Sequence, residues 1–318
     1  MTPDLPDQPD LPDLPDQPDQ PDQPDQPDLL DVPDLHGRVA VVTGASRGAG
    51  KGIALALGAC GATVYVTGRT ERAGQSDLPG TVHETAAEIT SRGGVGVAVI
   101  CDHARDDDVE RLFTQVRDEH GQLDVLVNNA FAIPDRLTSR RSFWEKPLAH
   151  QQMLDVGLRS SYVSSWYAAP LLIARGGGLL VNTSSFGGTC YMHGPVYGAA
   201  KAGVDKMAHD MAVDLRPHDV AAVSLWMGLL RTERTAGLFD ATSDQYASFV
   251  PSAESAEFPG RVIAALAVHP DRMSWSGQVV VSAELGETLG VRDVDGAQPR
   301  SHRAMLGEPP QFSAAVVH

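Results

Sequence analysis

The chain has 318 residues and a formal net charge of −16. Residues 1–34 hold eleven Asp, ten Pro and no Lys or Arg, so the remaining 284 residues carry a net charge of only −5. A body so mildly acidic lacks the basic surface that nucleic acid or an anionic membrane demands, and it is long enough to bury a large core.

The first segment repeats Pro-Asp-(Leu/Gln) in threes from Pro3 to Asp28. With no Gly it cannot form a collagen helix, and Pro at every third position excludes helix and central strand. Residues 1–34 are therefore expected to be a disordered, acidic, Pro-rich tail, the alternative being an extended acidic docking arm. Met1–Asp10 has neither a basic nor an apolar stretch, so no secretory signal is expected. Three widely spaced cysteines, Cys60, Cys101 and Cys190, argue against a disulfide framework or a zinc site and for a reducing compartment such as the cytoplasm. No metal ligands are assigned.

From Leu35 the pattern changes. Arg38–Thr43 is a short β-branched run, read as a buried strand, and Lys51–Cys60 follows it as a helix. Thr63–Thr67 is a second strand and Glu84–Arg92 a helix. Val95–Cys101 is a third strand, and Val109, Leu112, Phe113 and Val116 mark a helix over Val109–Glu119. Leu123–Val127, Gly178–Asn182, Val220–Trp226 and Gln278–Ser282 complete the strands. Strands alternating with helices predict an α/β fold, a Rossmann-type doubly wound parallel sheet in a single domain. That domain is expected over 35–290, with a C-terminal extension over 291–318.

The loop Thr43-Gly44-Ala45-Ser46-Arg47-Gly48-Ala49-Gly50 lies between the first strand and the first helix. Glycines there permit a tight turn, close approach to a pyrophosphate and close helix packing, while the helix start offers free N–H groups. Gly44, Ser46, Arg47, Gly48 and Gly50 are thus candidate dinucleotide-binding residues. Sites for an unphosphorylated ribose place an acid at the end of the second strand. Here that end reads Gly68-Arg69-Thr70. Arg69 and Arg47 would instead meet a 2′-phosphate, which favours NADP(H) over NAD(H).

Tyr197-Gly198-Ala199-Ala200-Lys201 puts a phenol and an ammonium on one helical face. A phenol titrates near 10, and a neighbouring cation favours its phenolate. Thr183-Ser184-Ser185 ends a strand where a hydroxyl would reach a substrate carbonyl.

The glycine-rich loop, Asn128-Asn129-Ala130, the Ser pair and the Tyr-x-x-x-Lys motif together resemble the short-chain dehydrogenase/reductase family over about residues 36–290. TGRT at 67–70, Val223–Trp226 and Val291–Gly296 resemble its member 1 group and bacterial relatives. The resemblance implies that Tyr197 is the proton donor, Lys201 its pKa-lowering neighbour and nicotinamide-ribose ligand, and Ser185, with Ser184 as alternate, the carbonyl-orienting group. It also implies that Asp102 contacts adenine, Asn129 lies by the adenine ribose and Thr232 by the nicotinamide and pyrophosphate. Phe131 stands where the family has Gly, and Gly157 where it has a catalytic Asn that anchors a water relay to the lysine. The implied activity is NADP(H)-dependent interconversion of a carbonyl and an alcohol, acting on a lipophilic ketone or aldehyde. The alternative is a non-catalytic NADP(H)-binding sensor or scaffold. Leu238, Phe239, Tyr246 and Phe249 suggest an apolar lid, and Phe131, Trp144 and Tyr191 an apolar site. The family also implies a homo-oligomer.

Overall fold

The computed structural model describes residues 33–237 and 247–317. The repeat up to Val32, and Leu238, Phe239 and Tyr246 of the expected lid, lie outside the described residues. Strands β1 (Val39–Val42), β2 (Thr63–Gly68), β3 (Val95–Ile100), β4 (Val125–Asn128), β5 (Gly178–Ser184) and β6 (Val220–Trp226) follow in chain order. A short parallel pair, β7 (Leu230–Arg231) and β8 (Glu254–Ser255), precedes β9 (Val279–Val281). The main sheet runs β3-β2-β1-β4-β5-β6-β9, parallel throughout. This is the doubly wound Rossmann-type layout expected from the strand–helix alternation.

Helices α1 (Gly48–Ala59), α2 (Val82–Ser91), α3 (Asp106–His120), α4 (Ser160–Arg175), α5 (Pro195–Leu215), α6 (Phe258–Val268), α7 (Ser282–Thr288) and α8 (Arg303–Leu306) connect the strands. Successive strand residues point to opposite faces. Val42 and Val66 therefore pack with Ile53, Ile89 and Val262 of α1, α2 and α6. Val41 and Tyr65 pack on the other face with Leu112, Leu172 and Leu215 of α3, α4 and α5. Each fully buried Val or Leu contributes about 1.5–3 kcal/mol, so both layers hold the sheet. Helix α3 starts at Asp106, earlier than its apolar spacing indicated. Its first turn carries Asp106, Asp107 and Asp108, which favour the helix dipole but bury no apolar surface.

β1 has β2 on one side and β4 on the other, so the connections diverge there and open a crevice at the strands' C-terminal ends. Cys60 and Cys101 are buried and Cys190 is half-buried, all as free thiols. No helix among the described residues is long and apolar enough to cross a membrane.

α1 approaches both α6 and the segment just before it closely enough to require glycine. A Cβ at Gly52 would fall 2.0 Å from the Ala256 carbonyl oxygen, and one at Gly260 would fall 2.6 Å from Ile53 Cα. Gly52→Val is expected to cost about 2 kcal/mol through overpacking, read as a lowered Tm in thermal unfolding. An unchanged Tm would contradict the tight crossing.

Candidate active site

β5 delivers Thr183, Ser184 and Ser185 to the crevice edge, and the pleat separates their roles. Ser184 is fully buried and its hydroxyl donates to the Lys201 carbonyl at 3.3 Å. Ser185 points the other way, with Oγ 2.9 Å from the Tyr197 hydroxyl. Gly194 (φ +113°) turns the chain into α5, and Pro195 opens the helix with a preset φ and no N–H to satisfy. Four residues then bring Lys201 beneath Tyr197. The Lys201 ammonium is buried, donates to the Thr183 carbonyl at 3.2 Å and lies 4.3 Å from the centre of the Phe131 ring. Burial pushes its pKa down to about 8, with Asp205 one turn later pulling the other way. Asp205 is itself buried. It accepts from Ser224 Oγ at 2.5 Å and from Trp226 Nε1 at 3.0 Å, and burial raises its pKa.

Phe131 and Gly157 prove to be one packing event. Leu154–Arg159 forms a π-helical turn broken at Val156 and Gly157, the latter at φ +149° and ψ −59°. The Ala132 N–H donates to the Val156 carbonyl at 2.8 Å and draws the chain after β4 against this kink. The Phe131 ring then fills the space in front of Gly157, where a Cβ would meet ring carbons at 2.6 and 2.7 Å. The same ring stands edge-to-face with Tyr197 at 5.7 Å.

The crevice beside β1 has the cradle that a dinucleotide needs. A Cβ at Gly44 would strike Ala130 Cα at 2.8 Å, and one at Gly50 would strike the Gly44 carbonyl oxygen at 2.3 Å. Asn129 secures this loop, donating from Nδ2 to the Thr43 and Gly44 carbonyls at 2.9 and 3.2 Å. Gly48 (φ +59°) faces open space, and its N–H donates to Glu233 Oε2 at 3.0 Å. That carboxylate is an anion at the start of α1, the place and charge that a phosphate oxygen would take. Ser46 is buried beside Gly68 and Gly80. Arg47 donates to the Pro79 and Gly80 carbonyls and to Thr70 Oγ1, at 3.0, 2.7 and 3.1 Å. Burial lowers its pKa, Glu233 opposes that, and the nearby Arg234 and Arg69 add to it. Arg69 is exposed just past β2. Asp102, just past β3, accepts from the Ala104 N–H at 3.1 Å. Thr232 Oγ1 lies 3.0 Å from Thr235 Oγ1 in the loop after β7. The residues present therefore fit a nicotinamide dinucleotide.

Next to Ser185 and Tyr197 opens a cleft of about 530 Å³, with Phe186, Tyr191, Met192 and Leu229 among its walls. Phe249 reaches it from the expected lid, whereas Trp144 is exposed and outside the lining. Residues beyond 291 return to this cleft. Asp293 accepts from the Ser255 N–H at 2.8 Å, and His302 and Leu306 line the wall. Sequence reasoning singled out none of Asp205, Phe186, His302 or Leu306. Only Asp205 left a signal, one helical turn beyond Lys201. Among the described residues, no group of three His, Cys, Asp or Glu is placed to hold a metal ion.

Gly157→Asn is expected to destabilise by roughly 2–4 kcal/mol, combining ring overlap with a strained backbone. In thermal unfolding, Gly157→Asn should cost clearly less in a Phe131→Gly background than in the wild type. An equal cost in both backgrounds would contradict the packing pair.

The short chain dehydrogenase family matches residues 38–243. The chain is 44% identical over 273 residues to the dehydrogenase/reductase SDR family member 1 of Homo sapiens, covering 82% of this chain and 85% of that protein. Over 220 residues it is 32% identical to a 3-oxoacyl-(acyl-carrier-protein) reductase of Synechocystis sp., covering 69% and 83%. A solved short-chain type dehydrogenase/reductase from Mycobacterium marinum aligns with a TM-score of 0.63 and 28% identity, over 79% of this chain and 96% of that one. The chain belongs to the short-chain dehydrogenase/reductase family, oxidoreductases that act on CH–OH and carbonyl groups with nicotinamide cofactors.

Proposed function

We propose that the protein reduces a lipophilic ketone or aldehyde with NADPH, in a reversible reaction. The observation that carries this is the 2.9 Å contact of Ser185 with Tyr197 above a buried Lys201 at the foot of a cleft whose walls are largely apolar, with Arg140, Arg141 and Lys146 also in its lining. The bound nicotinamide supplies the hydride. Tyr197 gives its hydroxyl proton to the carbonyl oxygen, and Ser185 donates a hydrogen bond to that same oxygen as negative charge develops. The Lys201 ammonium favours the phenolate left behind. Phe131 keeps water from the ammonium and offers it the face of a ring.

Preference for NADP(H) is part of the same proposal. Arg69, just past β2, and Arg234 each repel Arg47, against the attraction of Glu233, and a 2′-phosphate would relieve that repulsion. Gly44, Ser46, Gly48, Gly50, Asp102, Asn129 and Thr232 would hold the rest of the cofactor. A homo-oligomer in the cytoplasm completes the reading. Tyr162 and Trp166 on α4 are exposed and would meet a second copy.

Tyr197→Phe is expected to lower the turnover of any reduced carbonyl by 10²-fold or more while calorimetry shows unchanged NADPH affinity. Equal turnover in both proteins would contradict the role of Tyr197. A wild type that binds NADPH and reduces nothing would favour a sensor. In a separate titration NADPH should bind about tenfold or more tightly than NADH, with Arg47→Ala narrowing the gap. Tighter binding of NADH would refute the assignment of Arg47 and Arg69.

A further inference from the structure

The cleft beside Ser185 and Tyr197 is lined by three cations, Arg140, Arg141 and Lys146, and among the described residues by no Asp or Glu. The chain as a whole has the opposite balance, 41 acids against 25 Lys and Arg. Arg140 and Arg141 are exposed, and among the described residues neither guanidinium has an ion pair or a hydrogen-bond partner. Glu145, the acid nearest to Arg141 in sequence, is turned back on its own turn, where it accepts from the Ser142 N–H at 3.0 Å. The segment that bears the two arginines is tied to the reacting end of the cleft. Lys146 Nζ donates to the Leu137 carbonyl at 3.0 Å and to the His193 carbonyl at 2.9 Å. The His193 ring stands edge-to-face with Tyr197 at 4.9 Å. Burial, with Lys146 adding to it, holds this imidazole below its usual pKa, so the field of the ammonium reaches the wall next to the phenol. Between those ties, the Arg141 N–H donates to Ser139 Oγ at 3.3 Å and the Ser139 N–H to the Arg136 carbonyl at 3.0 Å. Attraction between charges acts over several Å and, unlike a hydrogen bond, needs no single aimed atom. Cations grouped on the wall of a cleft raise the local concentration of an anion there.

We propose that Arg140 and Arg141 are specificity-determining residues that select a substrate bearing an anionic group, a carboxylate or a phosphate, on the apolar chain that carries the reacting carbonyl. This rests on the carbonyl-reducing role proposed for the cleft. The carbonyl would lie at Ser185 and Tyr197, the apolar chain along Phe186, Met192 and Leu229, and the anion by the three cations. A guanidinium matches either oxyanion bidentately. Lys146, with two of its three N–H groups occupied by carbonyls, adds a fixed charge.

The test uses the intact chain with NADPH and three oxo acids that differ in the distance from ketone to anion: 7-oxooctanoate, 9-oxodecanoate and 11-oxododecanoate. Each is compared with its primary amide, which has the same size and no charge. A further pair, 10-oxoundecyl phosphate and its parent alcohol, shows whether phosphate or carboxylate is the preferred anion. The wild type should favour at least one anion over its neutral counterpart by about tenfold or more in kcat/KM, mostly through KM. Raising the salt from about 0.05 to about 0.5 M should shrink that ratio, because exposed charges are screened. The double variant Arg140→Gln, Arg141→Gln should lose the preference, and the double variant Arg140→Lys, Arg141→Lys should keep much of it. Equilibrium binding of the corresponding hydroxy acids and hydroxy amides in the presence of NADP+ reads the same preference without turnover. Failure of all reduction would therefore sink the proposed reaction and still decide the role of the two arginines. A wild type that treats anion and neutral counterpart alike in both readouts, or a preference that survives in the double Gln variant, would overturn the proposal.

Discussion

Lys201 carries an ammonium out of water, and moving an ion of that size into a protein interior costs several kcal/mol unless polar partners replace its hydration. Three groups answer that cost here. The Thr183 carbonyl accepts at 3.2 Å, the Phe131 ring presents its face at 4.3 Å, and the Asp205 carboxyl contributes an opposing charge one helical turn away. Each of these depends on a different part of the fold. Thr183 needs β5 to end at the crevice. Asp205 needs β6 in register beside β5, since its partners Ser224 and Trp226 pair with Asn182 and Ser184 across the sheet. Because the compensation is partial, burial still prevails and the pKa is held near 8 rather than 10.5.

The ring on the ammonium imposes its own demands. Phe131 needs the room left by a residue without Cβ, and Gly157 supplies it at a backbone angle that L residues rarely adopt. The broken helical turn at 154–159 follows from that pairing. On the other side of Phe131, Asn129 is tied to Thr43 and Gly44, so the segment after β4 braces the glycine-rich loop and the lysine together. A change in this short connection would be felt on both sides of the crevice.

Much of this was legible in the sequence. Short runs rich in Val and Leu marked the strands of the main sheet, most plainly the interior ones, which are buried on both faces. The Tyr197–Lys201 spacing marked the acid–base pair because helical geometry is local. Ser184 and Ser185 could not be separated by sequence, since the choice depends on which way the strand's pleat points at its last residue. The coupling of Phe131 to Gly157 was invisible for another reason: both were seen as departures, but their contact spans a loop whose path no local rule dictates. His302 and Leu306 were missed because their placement depends on Asp293 holding Ser255 and on Glu284 holding Ser301 and Arg303. Those contacts join segments far apart in sequence.

The claim on which the rest depends is that Lys201 is a desolvated cation whose proton is held less tightly than usual. The chain has four lysines, so 13Cε-labelled lysine resonances can be followed by NMR and Lys201 assigned by its loss in Lys201→Arg. Titration of the free protein should give a midpoint near 8 for Lys201. A midpoint near 10.5, the ordinary lysine value, would contradict the buried site described for this ammonium.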